Sequence, residues 1–84
     1  MYRLTVKEIT VAILIGRELN RVKRPLLMKE LPEVANLSGV ALRPMLSKLI
    51  HARVLNRDGV MSGVDKGDKW EKYFTKWMGE YGKT

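Results

Sequence analysis

The stretch NLSGVALRPMLSKLIHARVLN, residues 36–56, decides the fold. Asn36 tolerates the left-handed conformation that a tight turn between helices needs, and Ser38 is a good N-cap for a helix starting just after it. Leu42, Met45, Leu46 and Leu49 recur at three- and four-residue spacing and form one apolar stripe, while Arg43, Ser47 and His51, four residues apart, share the opposite side. The pattern predicts a helix with one face packed and one face free, entered through a tight turn. Pro44 complicates it, because a proline deep in a helix lacks its N–H and costs about 3 kcal/mol. Either the helix starts near Leu42 or Arg43, with Pro44 in its first turn where the missing donor costs nothing, or it starts at Gly39 and kinks. The late start is the cheaper of the two. It makes SGVA, residues 38–41, part of the turn and puts Arg43 at the tip of the helix.

Upstream, Leu27, Leu31, Val34 and Ala35 predict a short helical segment within residues 26–35, and Pro32 requires that it begin late or be kinked. NRVKRP, residues 20–25, is a basic connector carrying Arg21, Lys23 and Arg24 and closed by Pro25. Before it, Thr5 and Glu8 have the spacing of a capping box. Ile9, Ala12, Ile13, Gly16 and Leu19 continue as a helical stripe, which Val11, Leu14 and Ile15 widen beyond one face. The β-branched run favours a strand, but the cap and the periodicity reaching Leu19 favour a helix.

Downstream, Asp58 and Gly59 stand between Val54-Leu55 and Val60-Met61, and Asp-Gly suits a two-residue hairpin turn. After the loop SGVDKGD, Asp68 and Glu71 have cap spacing and open a last helix. Its stripe is Trp70, Phe74, Trp77, Met78 and Tyr81, with Lys69, Lys72, Lys76 and Glu80 largely off it.

With 84 residues there is room for one domain spanning residues 1–84, of the α+β class: a three-helix core, a small β-hairpin and a C-terminal amphipathic helix. At 45% hydrophobic and 30% charged residues the chain has the balance of a folded domain. The lack of cysteine excludes disulfides, thiolate metal sites and cysteine nucleophiles, and agrees with a cytoplasmic location. The longest apolar run, residues 11–15, is too short to span a membrane. Sixteen Lys and Arg against nine Asp and Glu leave +7, a charge that attracts polyanions. One histidine, no paired carboxylates in an apolar setting and no metal-ligand spacing argue against an enzyme and for no cofactor, metal or small-molecule ligand.

KELPEVANLSGVALRPMLSKLIHARVLN, residues 29–56, resembles the helix-turn-helix and first wing strand of the iron-sulfur-sensing repressor family of bacterial winged helix regulators. Lys29, Glu30, Leu31 and Glu33 open the second helix, Leu37-Ser38 the turn, Leu42, Leu46, Lys48 and Leu49 the third helix, and Ala52, Val54 and Leu55 the exit to the strand. The likeness covers about a third of the chain. The family's cysteine ligands have no counterpart, its glycine-rich wing is reduced to Asp58-Gly59 and Gly63, and its long dimerisation helix has little room. The resemblance implies a minimal winged helix binder of double-stranded DNA without a built-in sensor, a transcriptional regulator with its helix-turn-helix at about 27–52, wing at about 54–66 and C-terminal helix at about 68–81. Phage and plasmid winged helix regulators fit as well.

On that plan the third helix presents side chains to base edges, which nominates Arg43 first, then Ser47, with Ser38 and His51 beside them. An arginine fork can donate twice to guanine O6 and N7. Lys48 and Lys29 would hold phosphates, Arg57 and Lys66 would act from the wing, and Arg21, Lys23 and Arg24 would add backbone contacts. Trp70, Phe74, Trp77 and Tyr81 are more aromatic surface than so short a chain is expected to cover, which points to a homodimer through the last helix. The rival reading is a winged helix interaction module whose basic surface or aromatic helix docks on a partner protein. RNA association shares the charge but lacks an aromatic sheet signature.

Overall fold

Thr5 and Glu8 start the first helix as their spacing predicts. In the computed structural model, which describes residues 4–59 and 63–81, the Glu8 N–H donates to Thr5 Oγ1 at 3.2 Å and the Thr5 N–H to Glu8 Oε1 at 2.7 Å. Helix α1, Val6–Val22, buries Val11, Ala12, Ile15, Gly16 and Leu19 and packs against the other three helices and the sheet. Ile9 and Ile13 from the expected stripe lie at its half-buried margin. The helix ends on Lys23 in the left-handed conformation, whose N–H donates to the Leu19 carbonyl.

A strand then appears that the sequence did not announce: β1, Leu26–Leu27. Helix α2 is reduced to Leu31–Ala35, so the expected helix does begin late, with Pro32 in the first turn where it removes no hydrogen bond. Asn36 is left-handed at φ 55°, as the turn requires.

Helix α3, Gly39–His51, corrects the expected late start. Ser38 is its N-cap and accepts from the Ala41 N–H at 3.2 Å, and the Leu42 N–H donates to the Ser38 carbonyl at 3.0 Å. SGVA therefore holds the cap and the first turn. Pro44 stands inside the helix and cannot donate to the Val40 carbonyl. Both residues are exposed, so water can reach that carbonyl, which is why one missing bond is tolerated here.

The exit from α3 is a Schellman motif. The Arg53 N–H donates to the Ile50 carbonyl and the Val54 N–H to the Leu49 carbonyl, both at 3.0 Å, with Arg53 left-handed at φ 64°. Leu49 and Val54, at its two ends, are fully buried.

Strands β2, Leu55–Asp58, and β3, Gly63–Lys66, pair antiparallel with Asp58 opposite Gly63 and Leu55 opposite Lys66. The hairpin is real, but its turn is not the two-residue Asp-Gly turn: Asp58 ends β2 and four residues, 59–62, connect the strands. Gly59 does not take a positive φ, since no described glycine does, and Val60 and Met61 lie outside the described residues. Strand β3 is central, with β1 on its other edge (Leu26 opposite Val64, Leu27 opposite Gly63). A side chain at Gly63 would stand 2.0 Å from the Leu26 carbonyl oxygen, so the close pairing depends on glycine.

Helix α4, Trp70–Tyr81, starts one step later than Asp68 predicts, since its first bond runs from the Tyr73 N–H to the Lys69 carbonyl. Trp70 lies over Gly16 of α1 and stacks on Phe74 with ring centroids 4.6 Å apart. Trp70 and Trp77 are each 4% exposed and complete a core with Ile15, Leu26, Leu31, Leu49, Leu55 and Val64.

Candidate nucleic-acid interface

Because α3 begins at Gly39, its helical period fixes which residues share the solvent face. Leu42, Leu46 and Leu49 are buried, while Val40, Arg43, Pro44, Ser47 and His51 lie together on the exposed side. The hairpin rises beside this face. Between them runs a groove of about 480 Å³ lined by Arg43, Ser47, Leu46 and Ile50 from α3, by Arg57, Asp58 and Gly63 from the hairpin, and by Met28. It continues around Arg43 into a second recess of about 520 Å³, where Lys29, Pro32 and Val40 join Met28 and Leu46.

The structure thus brings Arg43, Ser47, Arg57 and Lys29 together and sorts the remaining sequence candidates elsewhere. Ser38 lies on the exposed side with its hydroxyl oxygen engaged by the Ala41 N–H, so its part is that of a cap. His51 shares the exposed face of α3 and lies outside the groove lining.

Lys48 turns to the flank of α3 that meets α1, where its Nζ lies 3.3 Å from Glu8 Oε2. Glu8 is 7% exposed, and its carboxyl is held below its ordinary pKa mainly by the Thr5 N–H, with Lys48 helping and burial opposing. The expected phosphate contact of Lys48 therefore competes with an internal partner that keeps a nearly buried carboxylate neutralised.

Arg21 and Arg24 are answered by glutamates. Arg21 Nε donates to Glu18 Oε1 at 2.8 Å, and Arg24 forms a two-pronged pair with Glu30 at 2.9 and 3.0 Å. The Glu30 carboxyl, which also accepts from the Leu27 N–H, is lowered to about 2, chiefly by Arg24. Lys23 and Lys66 border a separate cleft with Arg24 and Asp65, and Lys66 Nζ lies 5.9 Å from the centre of the Trp70 ring. Lys66 therefore belongs to the base of the hairpin, away from the groove beside α3.

Comparison with family models, with curated proteins and with solved structures finds no match.

The aromatic stripe also needs correction. Trp70 and Trp77, expected at a dimer interface, are buried within one chain, and Phe74 is half-buried against Trp70. The side chain of Tyr81 lies outside the described residues. Sequence reasoning missed Met28 and Val40, which are 42% and 85% exposed. Val40 was legible in principle: a helix started at Gly39 places it on the same side as Arg43 and Ser47, but a late start hides it in the turn. Among the described residues no helix is long and apolar enough to cross a membrane.

Proposed function

We propose that the chain is a winged helix regulator that binds double-stranded DNA in the cytoplasm, with α3 entering the major groove and the β2–β3 hairpin lying over the adjacent backbone. The order of α1, β1, α2, α3, β2, β3 supports this reading, and one observation carries it. Arg43 and Ser47 on α3 and Arg57 on the hairpin open on the same exposed groove, whereas Arg21, Arg24 and Lys48 have glutamate partners.

Division of labour follows from position. Arg43, one turn into α3, is placed to read a base edge with its fork, and Ser47 stands one turn further along the same face. Arg57 and Lys29, on either side, hold phosphates. A mobility-shift titration on duplexes selected from a random pool tests this. Arg43→Ala is expected to lose tenfold or more on the selected site, on the order of the 1–3 kcal/mol of a two-pronged base contact, and to relax preference there. Arg57→Ala is expected to weaken selected and random duplexes alike. Equal binding by wild type and both variants would remove the groove from the interface.

The rival, a protein-docking module, loses its aromatic helix to the core but keeps the apolar groove floor of Met28, Leu46 and Ile50. It predicts that Met28→Ser abolishes partner capture while DNA affinity is absent in wild type. For a homodimer, α4 retains the half-buried Tyr73 and Phe74, whose assembly would show as a concentration-dependent mass in sedimentation.

A further inference from the structure

Val40 is 85% exposed, a β-branched residue in the first turn of a helix, and no core contact accounts for it. Valine is a weaker helix former than alanine, so local stability does not explain its presence. Its neighbours on the same face are Arg43 and Pro44, one turn on, and the recess beside it is lined by Met28, Pro32 and Lys29 with no acidic side chain. The tip of α3 is therefore apolar in its middle and cationic at its rim.

We infer that this tip reads a thymine beside a guanine, with the Val40 side chain packed on the thymine 5-methyl group while Arg43 donates to guanine O6 and N7. The inference rests on the duplex-binding reading above and names what that site recognises. Thymine's methyl is the apolar feature of the major-groove edges, and small apolar side chains are its usual contacts. Positions three apart on a helix have Cβ atoms about 5–6 Å apart, one or two base steps, so Val40 and Arg43 address neighbouring pairs. Charge selects this occupant over an apolar peptide, since Arg43 and Lys29 flank the recess and the chain carries +7.

The test selects duplexes from a random pool with wild type and with Val40→Ser at roughly 150 mM salt. The selected thymine is then replaced by deoxyuridine, which deletes the methyl and keeps the pairing edge. Wild type is expected to enrich a thymine next to a guanine and to bind the deoxyuridine duplex about three- to fivefold more weakly, the worth of one buried methyl group. Val40→Ser, which puts a polar hydroxyl where the apolar contact stood and whose circular dichroism should match wild type because the site is exposed, is expected to bind the two duplexes about equally. Equal wild-type affinity for thymine and deoxyuridine, or the same discrimination in Val40→Ser, overturns the inference. Salt-dependent duplex binding without any enriched thymine overturns it and leaves the DNA-binding reading standing, whereas no duplex binding overturns both.

Discussion

At the scale of single residues, Gly16 carries the tightest contact in the core. A Cβ there would lie 1.9 Å from Cη2 of Trp70, and that ring, 4% exposed and stacked on Phe74, has nowhere to go. Alanine would otherwise favour the helix by about 1 kcal/mol. Overpacking of a filled core costs about 1–3 kcal/mol, and here a rigid buried ring must shift, so Gly16→Ala is expected to destabilise by about 2 kcal/mol net in urea unfolding. A double-mutant cycle with Trp70→Phe should show strong non-additivity, and additive effects would mean the two sites are not in contact. Pro44 predicts the opposite sign. Replacing it with alanine restores a donor to the Val40 carbonyl, so Pro44→Ala is expected to raise stability by about 1–2 kcal/mol, less than the full cost of an interior proline because the site is exposed and near the helix start. An unchanged or lower urea midpoint would contradict that account.

At the scale of elements, the short strand β1 is held by a clasp that joins its two flanks. Arg24 before it and Glu30 after it pair twice, and Glu30 also accepts from the Leu27 N–H. The Glu30 carboxyl is lowered from 4.5 to about 2 in the fold, so its stabilisation is fully present above pH 4.5 and is lost as pH falls through 2. Glu30→Gln keeps an oxygen to accept from Leu27 but removes the charge. The variant should unfold at lower urea than wild type at pH 7, and the gap should close as pH approaches 2; a gap independent of pH would assign the clasp to shape rather than charge. This element also marks where the sequence ceases to be legible. Local rules suffice for the Thr5–Glu8 box, the Asn36 turn and the hairpin's existence, because each involves near neighbours. Strand β1 exists only because Leu26 and Leu27 pair with Val64 and Gly63, which are distant in sequence, and no two-residue pattern announces that. The start of α3 escapes local rules because the penalty at Pro44, taken by itself, exceeds the worth of a good cap, whereas in the fold Val40 and Pro44 face solvent, where water can satisfy the carbonyl that Pro44 leaves without a donor, and the Ser38 cap prevails.

At the scale of the whole molecule, what matters is where the charge stands rather than how much there is. The net charge of +7 is legible from composition, and so is the cluster of Arg21, Lys23 and Arg24, yet folding sets glutamates against Arg21 and Arg24 and leaves Arg43, Arg57 and Lys29 around the groove. Two substitutions that remove the same unit of charge separate placement from amount. Arg57→Gln removes a cation from the groove, whereas Lys72→Gln removes an exposed one from α4, which packs on α1. Each phosphate neutralised contributes about −0.9 to the slope of log affinity against log salt. Arg57→Gln is therefore expected to make the slope shallower by about 1 and to weaken binding on every duplex, while Lys72→Gln leaves the slope within error of wild type. If both variants shift affinity and slope equally, the attraction is that of a basic molecule as a whole, and the groove beside α3 has no special claim on DNA.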